Sequence, residues 1–164
     1  MEEIKELKEL KELKDLKKIP SDKFPRFITH RLVKSEDINH HGTLFAGRTA
    51  EWFVESGFIA ATYHIKPHEL VCLKIHGLHF SKPVRIGDIL RFWSKAVYAG
   101  RTSIITYIEA AIRKSHYEAI VDGFITFVHV DKNTQASPHG IILDPKTEED
   151  KKLWAMAKEL KHSK

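Results

Sequence analysis

Residues 39–64 read NHHGTLFAGRTAEWFVESGFIAATYH, a short polar turn followed by a long run rich in alanine and aromatic side chains. Small residues recur along this run at Ala46, Gly47, Ala50, Ser56, Gly57, Ala60 and Ala61. Small side chains on several sides of a helix let other backbones approach closely, as a helix enclosed by its own domain requires. The run therefore predicts a helix over residues 44–63 that is wrapped by a sheet.

The chain after Pro67 changes from a helical period to the alternation of a strand. Pro67 ends the helix, because the residue before a proline disfavours helical backbone angles. Four strands are predicted after it, at residues 70–80, 89–98, 103–113 and 119–130, and residues 26–34 form a strand before the helix. This order predicts an α+β fold in which a long antiparallel sheet curls around one helix.

The segments on either side of this core have a different composition. Residues 1–18 repeat a Glu-Leu-Lys triplet, and leucines three residues apart spiral around a helix instead of forming one seam. We predict a charged, solvated helical extension over residues 1–22, with a helix that binds a partner or a membrane as the alternative. The main domain is predicted over residues 23–145, of which 131–145 form an exit loop. A C-terminal helix over residues 146–164 begins with acids and ends with lysines, which complements the helix dipole.

The composition suits one globular domain in a reducing compartment. The 164 residues are 42% hydrophobic, and no apolar run reaches the roughly 20 residues that a membrane-spanning helix needs. The single cysteine, Cys72, excludes an internal disulfide, and its apolar surroundings predict a buried, inert thiol. The net charge of +5 fits an anionic ligand, but no cluster of basic and aromatic residues indicates nucleic acid. We therefore expect a cytoplasmic protein that binds no nucleic acid and has no membrane span.

Four segments together resemble the acyl-CoA thioester hydrolases with the hotdog fold. The family pattern Asn-x-x-Gly-x-x-Phe-Gly-Gly stands here as Asn39, Gly42, Phe45, Ala46 and Gly47. The other segments are FSKPVRIGD at 80–88, YAGRTSIITYIEA at 98–110 and GFITFVHVD at 123–131. Because they follow the family's order and spacing over residues 26–145, the chain is identified as a member of this hotdog family.

This resemblance implies hydrolysis of an acyl thioester of coenzyme A to a free acid and coenzyme A, without a metal or redox cofactor. In such enzymes the thioester carbonyl lies at the N terminus of the helix, where backbone N–H groups stabilise the developing oxyanion. Ala46, Gly47 and Arg48 are expected to present those groups, and Asn39 is expected to hold a water molecule or the carbonyl. The resemblance also implies a homodimer with paired helices, assembled further into a hexamer as a trimer of dimers.

In this chain, a residue that is not an acid stands at the position of the family's helix acid. The family spacing places it fifteen residues after Asn39, where this chain has Val54 followed by Glu55. One position rotates a side chain by about 100° around a helix, so only its extra length or a local bulge brings Glu55 to the site. We predict Glu55 as the catalytic base or nucleophile, reached across the subunit interface. The alternative is that Glu55 and Glu51 form a solvated or arginine-paired face.

Basic and hydroxyl residues near the family's ligand-contacting turns are predicted to bind coenzyme A. They are Arg101, Thr102 and Ser103, followed by Lys82 and Arg85. Arginine can bind a phosphate through two hydrogen bonds, which a hydroxyl or an N–H group completes. A purely structural role for Arg101 in its turn is the alternative.

Other polar residues have simpler interpretations. His40 and His41 adjoin the helix N terminus and can orient water or act as a base, but polar turn residues of this kind need no catalytic role. No metal site is predicted, because the histidines lack a supporting ligand spacing. His76 and His79 are three positions apart on one strand and so face opposite sides. Asp122 is predicted to form a buried pair with a basic side chain, with a place in the lining of the substrate site as the alternative.

Three functions are compatible with these residues. An acyl-CoA thioesterase is the main prediction. A hotdog protein that binds acyl-CoA or acyl carrier protein without turnover is the second, because Val54 occupies the place of the acid. A hotdog dehydratase acting on a 3-hydroxyacyl thioester is the third, and it needs a histidine and an acid facing each other across the site.

Overall fold

The computed structural model describes residues 16–116 and 118–162. In chain order the elements are β1 (Lys17–Pro20), β2 (Phe27–Leu32), α1 (Ala46–Ala61), β3 (Leu70–Ile75), β4 (Ile89–Ala99), β5 (Ser103–Ile112), β6 (Ala119–His129), β7 (Ile141–Asp144) and α2 (Glu148–His162). Within these described ranges, no helix has both the length and the apolar character that crossing a membrane requires.

Five of the strands form one antiparallel sheet in the spatial order β2-β4-β5-β6-β3. The helix α1 packs mainly on the central strands β4 and β5. The predicted α+β architecture of a sheet around one helix is thereby confirmed. The strand β3 pairs with β6 and not with the next strand in sequence, so β2 and β3 lie at the two edges of the sheet.

α1 approaches the sheet most closely at Gly57. A Cβ atom at this position would lie 2.9 Å from Thr106 Oγ1 and 3.0 Å from Ile108 Cδ1, so a larger residue would push the helix away. Phe53, one turn earlier, is completely buried. Gly57 therefore acts as predicted, because its lack of a side chain lets α1 approach the sheet closely.

α2 packs on a second apolar cluster of the sheet through Leu153 and Ala157. A buried ion pair fixes its first turn, with Asp150 Oδ1 lying 2.6 Å from Lys95 Nζ of β4. Ser21 Oγ donates a hydrogen bond to the other oxygen of Asp150 at 2.6 Å. Burial alone would raise the pKa of Asp150, but the hydrogen bonds from Lys95 and Ser21 hold it below its usual value.

Residues 17–20 form a strand, so the predicted helical extension is wrong for this part of the chain. β1 pairs in parallel with β7, from Lys17 beside Ile141 to Pro20 beside Asp144. Ile19 belongs to the main hydrophobic core, and its burial favours this pairing over a solvated helix. The same pairing places a strand within the predicted exit loop. Residues 1–15 of the predicted extension lie outside the described residues.

The edge strand β3 differs from its prediction in length and in burial. It ends at Ile75 instead of residue 80, because Gly77 adopts a φ of +76° and turns the chain. Cys72 was predicted to be buried, but its position on the edge strand leaves it exposed. Val71, Leu73 and Ile75 are exposed by 43%, 67% and 38%. An apolar run thus lies on a sheet edge within the protomer.

Candidate active site

Asn39 organises the loop that precedes α1. Its Oδ1 accepts hydrogen bonds from the backbone N–H groups of His41 at 2.9 Å and of Thr43 at 3.2 Å. Its Nδ2 donates to Thr43 Oγ1 at 3.1 Å, and Gly42 within the turn adopts a φ of +75°. Local bonds of this type are typical of an Asx turn. The amide predicted to be catalytic is therefore held in place beside the helix.

The N terminus of α1 follows Phe45, and no side chain among the described residues caps it. The N–H of Arg48 donates to the carbonyl oxygen of Phe45 at 3.0 Å, so the prediction that Arg48 presents a free N–H group is wrong. Ala46 and Gly47 are the first-turn residues whose N–H groups have no acceptor within a helix. A Cβ atom on Gly47 would lie 2.5 Å from the Phe45 ring, so glycine makes room for that ring.

An open pocket of about 520 Å³ adjoins this helix end. Its lining includes Asp37, Asn39, His40, Gly47, Arg48 and Glu51. The pocket brings together the two predicted residues Asn39 and Gly47. It also contains Glu51, a carboxylate of α1 that was predicted only as part of a solvated or arginine-paired face.

Three charged side chains of this pocket are linked by ion pairs. Asp37 is only 3% exposed, and its Oδ1 lies 3.1 Å from Arg48 Nε. Arg48 Nη1 in turn donates to Glu51 Oε2 at 2.8 Å. The guanidinium group therefore joins a buried carboxylate to one at the pocket wall. The three-residue spacing of Arg48 and Glu51 signals such a pair on a helix, but no local pattern indicates Asp37.

Glu55 does not line this pocket. It forms an ion pair with Arg31 of β2, whose guanidinium group also lies 5.9 Å from the centre of the Trp52 ring. Val54, at the position of the family acid, is half-buried and packs against the main core. The structure thus places Glu55 in the arginine-paired state that was its alternative, and its catalytic role stays a prediction.

Lys82 lies at a second open cleft, of about 280 Å³, that also reaches Asn39. Thr49 of α1 and Ile120 of β6 belong to the same lining. Lys82 forms an ion pair with Glu118. The structure therefore brings Lys82 close to the candidate site, while its contact with coenzyme A stays a prediction.

Arg101, Thr102 and Ser103 lie at the opposite end of the sheet, at the turn between β4 and β5. Ala111, eight positions after Ser103 on β5, pairs with Ala119 of β6, next to the cleft residue Ile120. Eight residues of extended strand span about 26 Å. One protomer therefore does not bring Asn39 and Arg101 to the same place.

Two histidines without a predicted role adjoin this turn. His139 Nε2 donates to the carbonyl oxygen of Ser103 at 3.0 Å, and its Nδ1 accepts from the N–H of Ile141 at 3.1 Å. Burial lowers the pKa of His139. The Nε2 atom of His129 lies 3.7 Å from the carboxylate of Glu69. These contacts join residues far apart in sequence, so no local pattern reveals them.

The remaining predicted polar residues have structural partners. Asp122 is exposed and accepts a hydrogen bond from Tyr107 Oη at 2.9 Å, so the predicted buried pair with a basic side chain is wrong. Its side chain stays in solvent, where a charge needs no basic partner. The rings of His40 and His41 lie 3.9 Å apart on the exposed turn. In the described part of the chain, no group of three or more potential ligands is placed to hold a metal ion.

Comparison with known sequences identifies related proteins. The model of the thioesterase superfamily matches residues 41–117. A protein of Haemophilus influenzae named as an uncharacterised acyl-CoA thioester hydrolase is 29% identical over 108 residues. This match covers 62% of the present chain and 70% of that protein.

Solved structures share most of this fold. An apo-hexameric acyl-CoA thioesterase is 28% identical with a TM-score of 0.78, over 90% of this chain and 94% of that chain. An acyl-CoA hydrolase from Bacillus cereus is 25% identical with a TM-score of 0.74, over 88% of each chain. These matches agree with the resemblance found in the sequence.

Proposed function

Because this chain belongs to the thioesterase superfamily with the hotdog fold, we propose that it hydrolyses acyl-CoA thioesters to a free acid and coenzyme A. The observation that carries the proposal is the pocket at the start of α1, where Asn39 and the uncapped first turn at Gly47 adjoin one open space. The names of the similar proteins, acyl-CoA hydrolases and thioesterases, support the same reaction.

In this reaction a water oxygen bonds to the thioester carbonyl carbon, and the C–S bond then breaks. The N–H groups of Ala46 and Gly47, with the positive end of the helix dipole, stabilise the oxyanion of the intermediate. Asn39 holds the carbonyl or the attacking water through the second hydrogen of its Nδ2. The proposed reaction uses no metal or redox cofactor, since a base, an oxyanion site and water suffice for this hydrolysis.

The base in this mechanism is a carboxylate of α1. Glu55 is the residue predicted from the sequence, and Glu51 is the one that lines the Asn39 pocket. The proposed reaction needs one of them to take a proton from the attacking water.

The complete site, in this proposal, forms between two protomers. Arg101 lies beyond the far end of α1 from Asn39, so a coenzyme A that contacts both residues bridges two copies of the chain. An apolar sheet edge such as β3 tends to pair with another chain, and Val71, Leu73 and Ile75 are available there. The hexameric state of a similar thioesterase supports a homo-oligomer, which we propose to be a trimer of dimers.

Thiol release from acyl-CoAs of increasing chain length tests the proposed function. We expect turnover of at least one of them, and its loss in Asn39→Ala with binding of coenzyme A retained. Asn133→Ala, which changes an exposed asparagine in another turn, is the matched control and should keep full activity. Binding of acyl-CoA without thiol release at any chain length would contradict the proposal.

That outcome would favour the second candidate, an acyl-CoA binding protein without turnover. The observation behind it is Val54, an apolar side chain packed against the core at the position of the family acid. Calorimetric binding of an acyl-CoA that stays intact over hours would establish this alternative.

A further inference from the structure

Two glutamates of α1 are chemically matched. The side chains of Glu51 and Glu55 are one turn apart and are 53% and 47% exposed. Each forms an ion pair with one arginine, Glu51 with Arg48 of the same helix and Glu55 with Arg31 of β2. Any difference between the roles of these two glutamates must therefore come from their surroundings, because their side chains are chemically the same.

Glu51 lies at the open space that Asn39 and Gly47 share. Its carboxylate accepts a hydrogen bond from Arg48, whose Nε lies 3.1 Å from Asp37 Oδ1. The other oxygen of Asp37 accepts a hydrogen bond from a backbone N–H group at 2.9 Å, so both oxygens of this buried carboxylate have partners within the protein. Asp37 therefore orients Arg48, and Arg48 holds Glu51 at the pocket wall.

Glu55 lies on the side of α1 that faces away from β3. Phe58, one turn after Val54, packs on Phe127 of β6 with ring centres 5.8 Å apart, and β6 is the neighbour of β3. Glu55 is rotated by about 100° from Val54 and pairs with Arg31 on β2, the opposite edge of the sheet. The carboxylate of Glu55 is thus turned toward β2, away from the apolar edge proposed to join two protomers.

We infer that Glu51 is the catalytic carboxylate of this site and that Arg48, fixed by Asp37, is its positioning residue. The inference rests on the proposed function. Glu51 precedes Val54 by three positions, so the two side chains are neighbours on the helix surface. Glu51 therefore provides, from the preceding turn of the helix, the carboxylate that is missing at position 54.

In this reaction Glu51 alone accepts the proton and later donates it. Glu51 takes a proton from water while the water oxygen bonds to the carbonyl carbon and the carbonyl electron pair moves onto oxygen. Re-formation of the C=O bond breaks the C–S bond and expels the thiolate. The thiolate takes the proton from the Glu51 carboxylic acid, which leaves the free acid, the thiol of coenzyme A and the original carboxylate.

The paired variants Glu51→Gln and Glu55→Gln test this assignment in the full chain, with an acyl-CoA that the wild type hydrolyses. We expect Glu51→Gln to lower kcat by about 10² or more with KM changed less than about threefold. We expect Glu55→Gln to lower kcat by less than about threefold. Both glutamates are exposed, and thermal unfolding of each variant confirms that the fold is kept.

Chemical rescue separates a catalytic role from a structural one. Added formate should restore part of the thiol release of Glu51→Ala in proportion to its concentration, and it should not change Glu55→Ala. For the positioning residue, Arg48→Gln should lower kcat about tenfold, and Arg48→Lys should recover part of that loss because it keeps the charge.

The possible results distinguish this inference from the proposed function. A loss of kcat in Glu55→Gln with full activity in Glu51→Gln overturns the inference but leaves the thioesterase activity intact. An equal loss in both variants, without formate rescue of Glu51→Ala, also overturns it. Absence of thiol release by the wild type overturns both, because no reaction then remains for Glu51 to serve.

Discussion

The two ends of the five-stranded sheet carry different sets of polar side chains. The end at the start of α1 has the Asn39 turn, the uncapped Gly47 and the carboxylates Asp37 and Glu51. The end at the turn between β4 and β5 has Arg101, two hydroxyl residues and two nearby histidines. The first set suits proton transfer and oxyanion stabilisation, and the second suits phosphate binding. In the proposed function these two sets are half-sites of one active site, and within one protomer they are separated by about 26 Å of strand β5.

Because the two proposed half-sites do not meet within one protomer, a single chain does not form the complete proposed active site. Each half-site is fixed by its own local contacts, the Asn39 turn at one end and the His139–Ser103 hydrogen bond at the other. The proposed assembly places the second half-site of one protomer against the first half-site of its partner. Activity then depends on association as much as on any one residue.

Separating the protomers should have the largest effect, because it parts the half-sites from each other. Leu73 is 67% exposed on β3, so a charge there opposes association without being buried within the protomer. Leu73→Glu should reduce the molar mass from light scattering to that of one chain, and it should reduce thiol release by about 10³ or more. Ile142→Glu, at an exposed position on β7, should change neither. A monomer with full activity would remove the need for a second protomer.

Changing Asn39 should disable the first end while leaving the second intact. In Asn39→Asp, Oδ1 still accepts from His41 and Thr43, but the Nδ2 donor is lost. We expect kcat to fall by about 10² with KM changed less than about threefold. Thr43→Val removes the partner of Nδ2 and controls for loosening of the loop. If both variants lose activity equally, Asn39 acts through the loop and not on the substrate.

Changing Arg101 should impair the second end and affect substrate binding instead of the chemical step. We expect Arg101→Ala to raise KM for acyl-CoA about tenfold with little change in kcat. The same variant should hydrolyse an acyl-pantetheine, which lacks the nucleotide, as well as the wild type does. Arg113→Ala, an exposed arginine at the other end of β5, is the control. An equal rise in KM for both substrates would show that Arg101 stabilises its turn instead of binding the nucleotide.

The smallest effect is the contribution of His139, at the second end, to the pH dependence of stability. Burial lowers the folded-state pKa of His139, so the unfolded chain binds the proton more readily below about pH 6.5. Stability from this group is present above that pH and is lost as the pH falls. Between pH 7 and 5.5 the Tm of the wild type should fall more than that of His139→Gln, by on the order of 2 °C. Parallel curves for the two proteins would remove His139 from this effect.

Local sequence patterns predict most of the elements around the first end. Small residues and the following Pro67 define α1 within two residues at each end, and alternating apolar residues define β4, β5 and β6. These features depend on backbone preferences and burial within one element, which a short window of sequence contains. The polar turn at Asn39 follows from the same kind of local reasoning, whereas the predicted roles of Asn39 and Gly47 came from the family resemblance.

Features that depend on contacts between residues far apart in the sequence cannot be predicted from local patterns. β1 and β7 are four residues each and pair across most of the chain, so neither has a period that predicts it. Cys72 lies in an apolar run that indicates burial, but the sheet order places it on an edge. The link from Asp37 to Arg48 joins a loop to a helix, and it changes which glutamate adjoins Asn39. The family spacing points to position 54, where this chain has valine, and Glu55 was predicted as the next acid along the helix. The folded chain instead places Glu51 at the Asn39 pocket.

Subunit complementation tests whether the active site is shared between two protomers. Asn39→Ala and Arg101→Ala are produced separately, then dissociated and reassembled together, and thiol release is measured at low acyl-CoA concentration. In a mixed dimer one site carries both substitutions and the other carries neither. We expect the mixture to recover activity well above the mean of the two separate variants. Activity equal to that mean, in mixtures shown to contain both chains in one assembly, would contradict a site built from two protomers.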